Sequence, residues 1–563
     1  MRASGQWRLS TGGVLVPPQP DAEHPAYFHD KIERVRASLP EEVRDRPEYA
    51  ADNHASTTRE NPSSSADNRF NTYFAYCIAM ELNRGRCVRR DSKREASTGG
   101  SLSELPDEVQ ACNGDRLSEL PADLLLNILE RVGTLDAVKT CILSRKMQKL
   151  PTMLSQIVID LSSHDLVQMN GVVADVTDKI LRTRSPQITI HKLKLKFFLS
   201  PSRCLSIGKS VGAAMVTQKL DAAEFEILSP RDLHLCTDAY RVLFAKQFNN
   251  FVRDCPDAFA GLTRLHLRNM RFGKSDIPII LSYCKVLESL SFLMCDAGIR
   301  SVLHVEHARL VELVISYGKF KTVELNRLPK LKRMTYNNWP YDENPLVLGV
   351  LPQLSNLSLG DACISQKTLK LSQLLATVPS VSDLSLEFRS EKIWIQPECP
   401  KALAPVLAKL RFINLDNLPE ECDISWTMFL LEAAPSVEDL SITVWDHKCR
   451  QESQNSYSMK TDVKWEPSNP NFKHKNLATL TIYGFESDDN FMGYVRRVMQ
   501  AAVNIKKVSL HDRKVCTLCT DKFPHADARP SSYPQTSVQK DSLRKKITEA
   551  SSEASRAVIQ FSS

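Results

Sequence analysis

The tightest pairing of reactive side chains in this chain is Cys516-x-x-Cys519. Two thiolates at that spacing suit a zinc ion. A closed zinc site takes four ligands, however, and no second Cys/His pair stands at a suitable distance. His511 and His525 lie nearby and would have to complete an improvised geometry. A reduced pair is the favoured reading, with metal binding and redox chemistry as alternatives, and no cofactor or metal is expected. No glycine-rich phosphate loop, G-x-S-x-G elbow or H-E-x-x-H pair occurs. The adjacent carboxylates Glu420-Glu421 and Asp488-Asp489 fall in stretches read as loops, where solvated charge accounts for them. No catalytic residue is assigned, and the chain reads as a non-enzyme.

Length and composition bound what could hold any site. At 563 residues the chain is too long for one compact core, unless stacked repeats share an elongated one. Its 42% apolar content suffices for a large folded region. The net charge of +7 is mild and has no single basic block behind it, so nucleic-acid binding is not implied. Fifteen cysteines are scattered without a framework, Met1 to Pro18 does not read as a secretory signal, and no long apolar run suggests a membrane span. These features fit a protein of the cytoplasm, the nucleus or both, with reduced cysteines.

Residues 1–114 read as a mostly disordered arm, rich in polar residues and proline, with one basic patch at Arg84 to Arg94. Residues 115–161 change character. Pro121 can open a helix, and Leu124, Leu125, Ile128, Leu129 and Val132 then form one apolar stripe. Gly133 ends that helix and Thr134 can cap the next, with Val138, Cys141 and Ile142 on its apolar face. A third piece, Arg145 to Leu150, is closed by Pro151. Three helices this short cannot bury all their apolar residues, so some surface must meet another part of the chain or a partner. Two shorter echoes of the opening sequence, Ser101 to Val109 and Ala37 to Arg44, lack the sustained pattern.

The run DRLSELPADLLLNIL from Asp115, followed by TLDAVKTCILSRK from Thr134, resembles the plant F-box proteins. In that family the unit binds the Skp adaptor of a cullin-based (SCF-type) ubiquitin ligase. The resemblance implies a non-catalytic substrate receptor, with the Skp adaptor, a cullin scaffold and an unknown target protein as partners. Its alternative is a plain repeat-based binding module that no longer engages the adaptor. The implied adaptor-binding set is Leu120, Pro121, Leu124, Leu125, Ile128, Leu129, Leu135, Val138, Ile142, Leu143 and Met147. Part of it is expected to face the adaptor and part to form a small core. Met147 stands where the family usually has tryptophan, and it offers less contact area.

From about Ile190 a six-residue pattern recurs, apolar at its first, fourth and sixth positions. Clear copies are LTRLHL from Leu262, LESLSF from Leu287, LSNLSL from Leu354 and VEDLSI from Val437. Successive starts lie mostly 21–29 residues apart, the signature of leucine-rich repeats. Each copy predicts a strand whose fourth and sixth residues enter a shared core, with helices such as Val242 to Val252 and Asn490 to Val503 between strands. The expected fold is an α+β repeat protein: a three-helix F-box unit (115–161), an α/β leucine-rich-repeat solenoid (185–425) and a closing region (426–519). Phe429 to Cys449 and Tyr494 to Cys519 resemble the FBD-like closing domain of plant F-box repeat proteins. Residues 520–563 are expected to form a mobile tail.

Outward-facing strand positions are where a target would be read. They begin basic, with Lys192, Lys194, Lys196, Arg264, His266 and Arg268. They become acidic, with Glu312, Asp383, Glu387 and Asp439. An acidic or phosphorylated partner would meet the basic half through charge-assisted hydrogen bonds.

Overall fold

Apolar residues at the first, fourth and sixth repeat positions fix the architecture, because strands carrying them can stack only with those side chains on one side. The structure is a computed structural model. It describes residues 8–9, 15–16, 120–142, 147–160, 166–229, 236–339, 344–361, 368–389, 393–420, 422–444, 465–469, 471–513, 531–549 and 557–562. The chain divides into two compact units, residues 1–102 and 103–563. In the first, Arg8–Leu9 pairs antiparallel with Leu15–Val16. The readings made on the rest of 1–114 and on Cys516 and Cys519 fall outside the described residues.

In the second unit the strands are, in order, β1 Gln156–Ile159, β2 Lys192–Phe198, β3 Ala223–Leu228, β4 Arg264–Arg268, β5 Ser289–Leu293 and β6 Ser301–Val305. They continue as β7 Glu312–Ser316, β8 Phe320–Leu325, β9 Arg333–Trp339, β10 Leu346–Leu348, β11 Asn356–Asp361 and β12 Asp383–Glu387. The last are β13 Phe412–Leu418, β14 Asp439–Val444, β15 Thr479–Tyr483, β16 Lys507–His511 and β17 Val558–Ser562. Fourteen of them form one parallel sheet from β1 to β17 in chain order, passing over β6, β8 and β10. Equivalent repeat positions lie side by side: Leu265, Leu290, Leu313, Met334, Leu357, Leu384, Ile413, Leu440, Leu480 and Val508 make one buried row. Burying each such side chain stabilises the fold by about 1.5–3 kcal/mol.

Repeat length selects the return path. Helices such as Pro201–Thr217 and Asp238–Asp254 return the chain where successive strands are far apart. From β5 to β11, successive strands start only 21–23 residues apart. There the return runs as β6, β8 and β10, a second parallel sheet of three strands. A strand covers a given length in fewer than half the residues a helix needs, about 3.3 Å against 1.5 Å per residue. The sequence reading placed helices between strands throughout, and this stretch corrects it.

Left-handed backbone residues recur at the strand ends, just past them at Asn269, Met294, Tyr317 and Arg389 and next to the last strand residue at Asn338 and Asn417, all with φ between 53° and 63°. One turn region is pinned by buried charge. Asp296, fully buried, accepts hydrogen bonds from Arg271 Nε at 2.6 Å and Arg241 at 2.5 Å. Arg271 also pairs with Asp238 at 2.7 Å, so the cluster ties the helix Asp238–Asp254 to the turns after β4 and β5.

Two boundaries differ from expectation. The sheet begins inside the segment assigned to the helical unit, since β1 pairs directly with β2. Residues 520–563 are not a mobile tail where they are described: the helix Ser537–Glu549 and strand β17 finish the sheet. Leu543 and Ile547, one helical turn apart, are buried although the segment is mostly polar. The Tyr533 hydroxyl lies 3.1 Å from the carbonyls of both Leu510 and Ser562.

Replacing Asp296 with asparagine is expected to cost about 3–5 kcal/mol, because Arg241 and Arg271 lose their buried carboxylate and keep only the exposed Asp238. A lowered denaturation midpoint measures this. Burial alone would raise the Asp296 pKa, but the Arg271 hydrogen bond and the Arg241 charge outweigh it and hold it below its ordinary 3.8. Its contribution is therefore complete above about pH 4 and is lost as pH falls through the lowered folded value. Wild type should lose midpoint more steeply than Asp296→Asn over that acid range.

Candidate functional site

Two surfaces emerge. The first belongs to the helical unit, where α1 spans Ala122–Val132 and α2 spans Thr134–Lys139. Pro121 precedes α1, and Gly133 with φ +87° ends it, both as the residue types suggest. The inner side of α1 presents Leu125 and Leu129 to a small core with Ala137, Met147, Leu150 and Leu154, and Leu120 and Leu126 pack at its margin. The outer side presents Leu124, Ile128 and Val132, which are 50%, 43% and 46% exposed. Pro121 is exposed beside them. Three large apolar side chains at successive helical turns on one open face form a ready contact stripe.

The structure thus sorts the sequence-derived set. Pro121, Leu124 and Ile128 face outward; Leu125, Leu129, Val138 and Met147 face inward; Leu120 and Leu135 are half-buried. Val132, read as part of the stripe but left out of the site, belongs with the first group. The Leu143 position and the Ile142 side chain lie outside the described residues. Met147 is 2% exposed, so in place of tryptophan it fills the small core rather than the stripe. Of the third helical piece, read as Arg145 to Leu150, the first two residues lie outside the described residues; Met147 to Lys149 form a turn, and Leu150–Met153 form one 3-10 turn that contains Pro151 instead of stopping before it.

Thr134 was read as a helix cap and makes a different bond. No side chain caps α2; the Thr134 hydroxyl instead accepts the backbone N–H of Val158 at 2.8 Å. The Ser155 N–H donates to Glu130 at 3.0 Å. Through these bonds the helical unit closes the outer edge of β1, and it is fused to the sheet.

The second surface is the outward face of the strands. Its rows follow the register: Lys194, Glu224, Arg264, Ser289, Glu312, Arg333, Asn356, Asp383, Phe412, Asp439, Thr479 and Lys507 stand side by side. The next row is mostly small and uncharged, with Ser291, Thr335, Ser358, Ser385, Asn414, Ser441, Thr481 and Ser509.

The expected basic beginning is largely neutralised. Lys194 sits 3.5 and 3.4 Å from Glu224 and Glu226. Lys196 sits 3.0 and 3.3 Å from Asp160 and Glu226. Burial works against the Lys196 charge, yet these carboxylates raise its pKa above the ordinary lysine value. Burial, reinforced by nearby Arg268, Lys194 and Lys196 and opposed by Glu226, lowers the His266 pKa, so the ring is neutral at pH 7. Lys192 is exposed at the margin of β2. Arg264 and Arg268 on β4 have no carboxylate within ion-pair distance among the described residues, although Glu224 stands beside Arg264 in register. Glu312 is held by Arg333 at 3.0 Å and Ser289 at 2.8 Å. Asp383, Glu387 and Asp439 share β12 to β14 with an acidic residue the sequence reading missed, Asp416. Lys194 and Lys196 could not be seen as paired because their partners lie on neighbouring strands, about 30 residues away in sequence.

Comparison with known proteins adds two matched regions. Residues 252–557, more than half the chain, match a family described as At1g61320/AtMIF1, LRR domain, and residues 117–156 match the F-box domain. Among curated relatives, a putative F-box/FBD/LRR-repeat protein, At5g22610 of Arabidopsis thaliana, is 24% identical over 40% of this chain and 49% of its own length. The Arabidopsis thaliana F-box/FBD/LRR-repeat protein At1g13570 is 26% identical over 41% of this chain and 55% of its own. The FBD-associated F-box protein At5g56370, from the same organism, is 23% identical over 58% and 75%. The chain spans about half the length of the first two. No helix among the described residues is long and apolar enough to cross a membrane.

Thr134→Val should remove the only acceptor described for the Val158 amide while keeping side-chain volume. About 1–3 kcal/mol of local stability should be lost, since a buried N–H is left unpaired. Hydrogen exchange would read this as faster exchange at Val158, with the amides of β12 to β14 unchanged.

Proposed function

We propose that this chain, which belongs to the At1g61320/AtMIF1 leucine-rich-repeat family and carries an F-box and an FBD-like region of the plant type, is the non-catalytic substrate receptor of an SCF-type ubiquitin ligase. The Leu124–Ile128–Val132 stripe docks on a Skp adaptor, which links the chain to a cullin. The outward strand face holds the target protein. The exposure of that stripe on an otherwise well-packed unit is the single observation that carries the reading: three apolar side chains at successive turns remain open to solvent although Leu125 and Leu129, one position away, are buried in a core with Met147.

The receptor's contribution would be geometric. Holding a target beside a charged carrier enzyme raises its effective concentration, and this needs neither an activated nucleophile nor a cofactor in the receptor. The fusion of the helical unit to β1 suits that task, because a stiff joint keeps adaptor and target at a set separation. The reading also places the chain in the cytoplasm or nucleus.

The double substitution Leu124→Asp with Ile128→Asp tests this, since both side chains are exposed and the small core stays intact. Adaptor recovery in co-purification should fall more than about tenfold, a contact apolar anchor being worth about 2 kcal/mol or more. Leu125→Ala serves as the contrast: it should lower the stability of the helical unit by about 2–5 kcal/mol through its core. Full adaptor recovery with the aspartate variant would overturn docking through this stripe, and absence of adaptor from the unsubstituted chain would leave the binding module without adaptor as the better description.

A further inference from the structure

The outward strand face carries unequal charge at two places separated by neutralised strands. On β4, Arg264 and Arg268 stand on the same side of the sheet, and the ring between them, His266, is neutral. Across β5, β7 and β9 the charges cancel within the face: Glu312 is taken up by Arg333. On β12 to β14 the balance reverses. Asp383, Glu387, Asp416 and Asp439 stand at outward positions, with Glu438 and two guanidiniums, Arg389 and Arg411, at the ends of these strands. Arg411 is already bound to Glu438 by hydrogen bonds of 2.9 and 2.7 Å. The next cation along the row, Lys507, stands beyond Thr479.

Inside the acidic section lies an apolar side chain in an unusual place. Phe412 is 37% exposed and occupies an outward position, flanked in register by Asp383 on one strand and Asp439 on the other. An open aromatic ring between two carboxylates suits the side chain of lysine or arginine: the ring face attracts the cation and the apolar stem, and the carboxylates take its N–H groups. Between this place and β4 runs an uncharged row of modest side chains, Ser291, Val314, Thr335, Ser358 and Ser385. Six strand steps separate β4 from β13. At about 4.8 Å per step that is about 29 Å, the length of about eight or nine extended residues.

We infer that the outward strand face receives an extended segment of polypeptide with opposite charge at its two ends, acidic side chains resting on Arg264 and Arg268 and a lysine or arginine on Phe412 between Asp383 and Asp439. This rests on the reading of that face as the target surface and adds the chemistry of the segment and its direction across the sheet. A nucleic acid, negative along its whole length, would meet repulsion from three successive strands. A phosphorylated side chain would satisfy β4 alone.

The test uses the full chain without adaptor, so its outcome is independent of adaptor co-purification. Three fluorescent peptides share a spacer of about eight Gly and Ser residues. One ends in two glutamates and two arginines, one carries glutamates at both ends, and one carries arginines at both ends. Fluorescence anisotropy at low salt should show the dipolar peptide binding at least about tenfold tighter than either other. Arg264→Glu with Arg268→Glu should abolish that preference, as should Asp383→Lys with Asp439→Lys. Phe412→Ala should weaken the dipolar and the doubly basic peptide together and spare the doubly acidic one. Equal binding of all three peptides overturns the inference, as do no binding up to on the order of millimolar, a preference that survives both charge reversals, and tighter binding of an oligothymidine.

Discussion

A parallel strand is satisfied only when a neighbour in register stands on each side of it, and a row of such strands always ends in two strands with one open side. In this chain both open sides are closed by side chains. At the first strand the Thr134 hydroxyl takes the N–H of Val158. At the last, the parallel register turns the Ile559 carbonyl away from β16, and Arg544 of the helix Ser537–Glu549 donates to it at 3.1 Å. The same guanidinium lies 5.3 Å from the centre of the Phe561 ring, so it covers apolar surface as well. Everything between depends on these closures, because an uncovered edge is a template for another chain.

Between the edges the same three apolar positions do the work of a core in every repeat, and the differences lie in what fills the rest. Early repeats carry phenylalanines, with Phe197, Phe225, Phe251 and Phe259 in mutual edge or stacked contact. Later ones carry tryptophans, Trp339 against Trp394 and Trp426 against Phe429. Large rings are not confined to repeats with a helical return, since Phe292, Phe320, Tyr336 and Trp339 are buried within the shortest ones. In the shortest repeats the return strands come close, and Gly318 marks the limit: a Cβ there would lie 2.9 Å from Ile315.

Much of this was legible. The repeat spacing implied parallel strands, and the fourth and sixth positions do point inward along the whole sheet. The F-box stripe was visible as apolar residues in excess of what three short helices can bury. What the residues alone did not reveal has a common physical cause, namely pairing between distant strands. Lys194 and Lys196 look free until β3 and Asp160 are beside them. Asp296 looks like a turn residue until two arginines meet it. The tail looks mobile because its composition is polar; only Leu543, Ile547 and the alternation of Val558 to Ser562 marked it as part of the sheet, and that signal is short. Met147 looked like a weakened contact and is a core residue, a distinction that sequence order does not encode.

The sharing of β1 between the helical unit and the sheet makes repeat number a measure of distance. Each repeat adds one strand spacing, about 4.8 Å, and a small rotation from sheet twist. A chain that gained or lost one repeat between β1 and β4 would keep both of its surfaces unaltered in kind and change only how far apart, and at what angle, they are held. Within a family of such chains, reach can therefore diverge without a single substitution in either surface, through insertion and deletion alone.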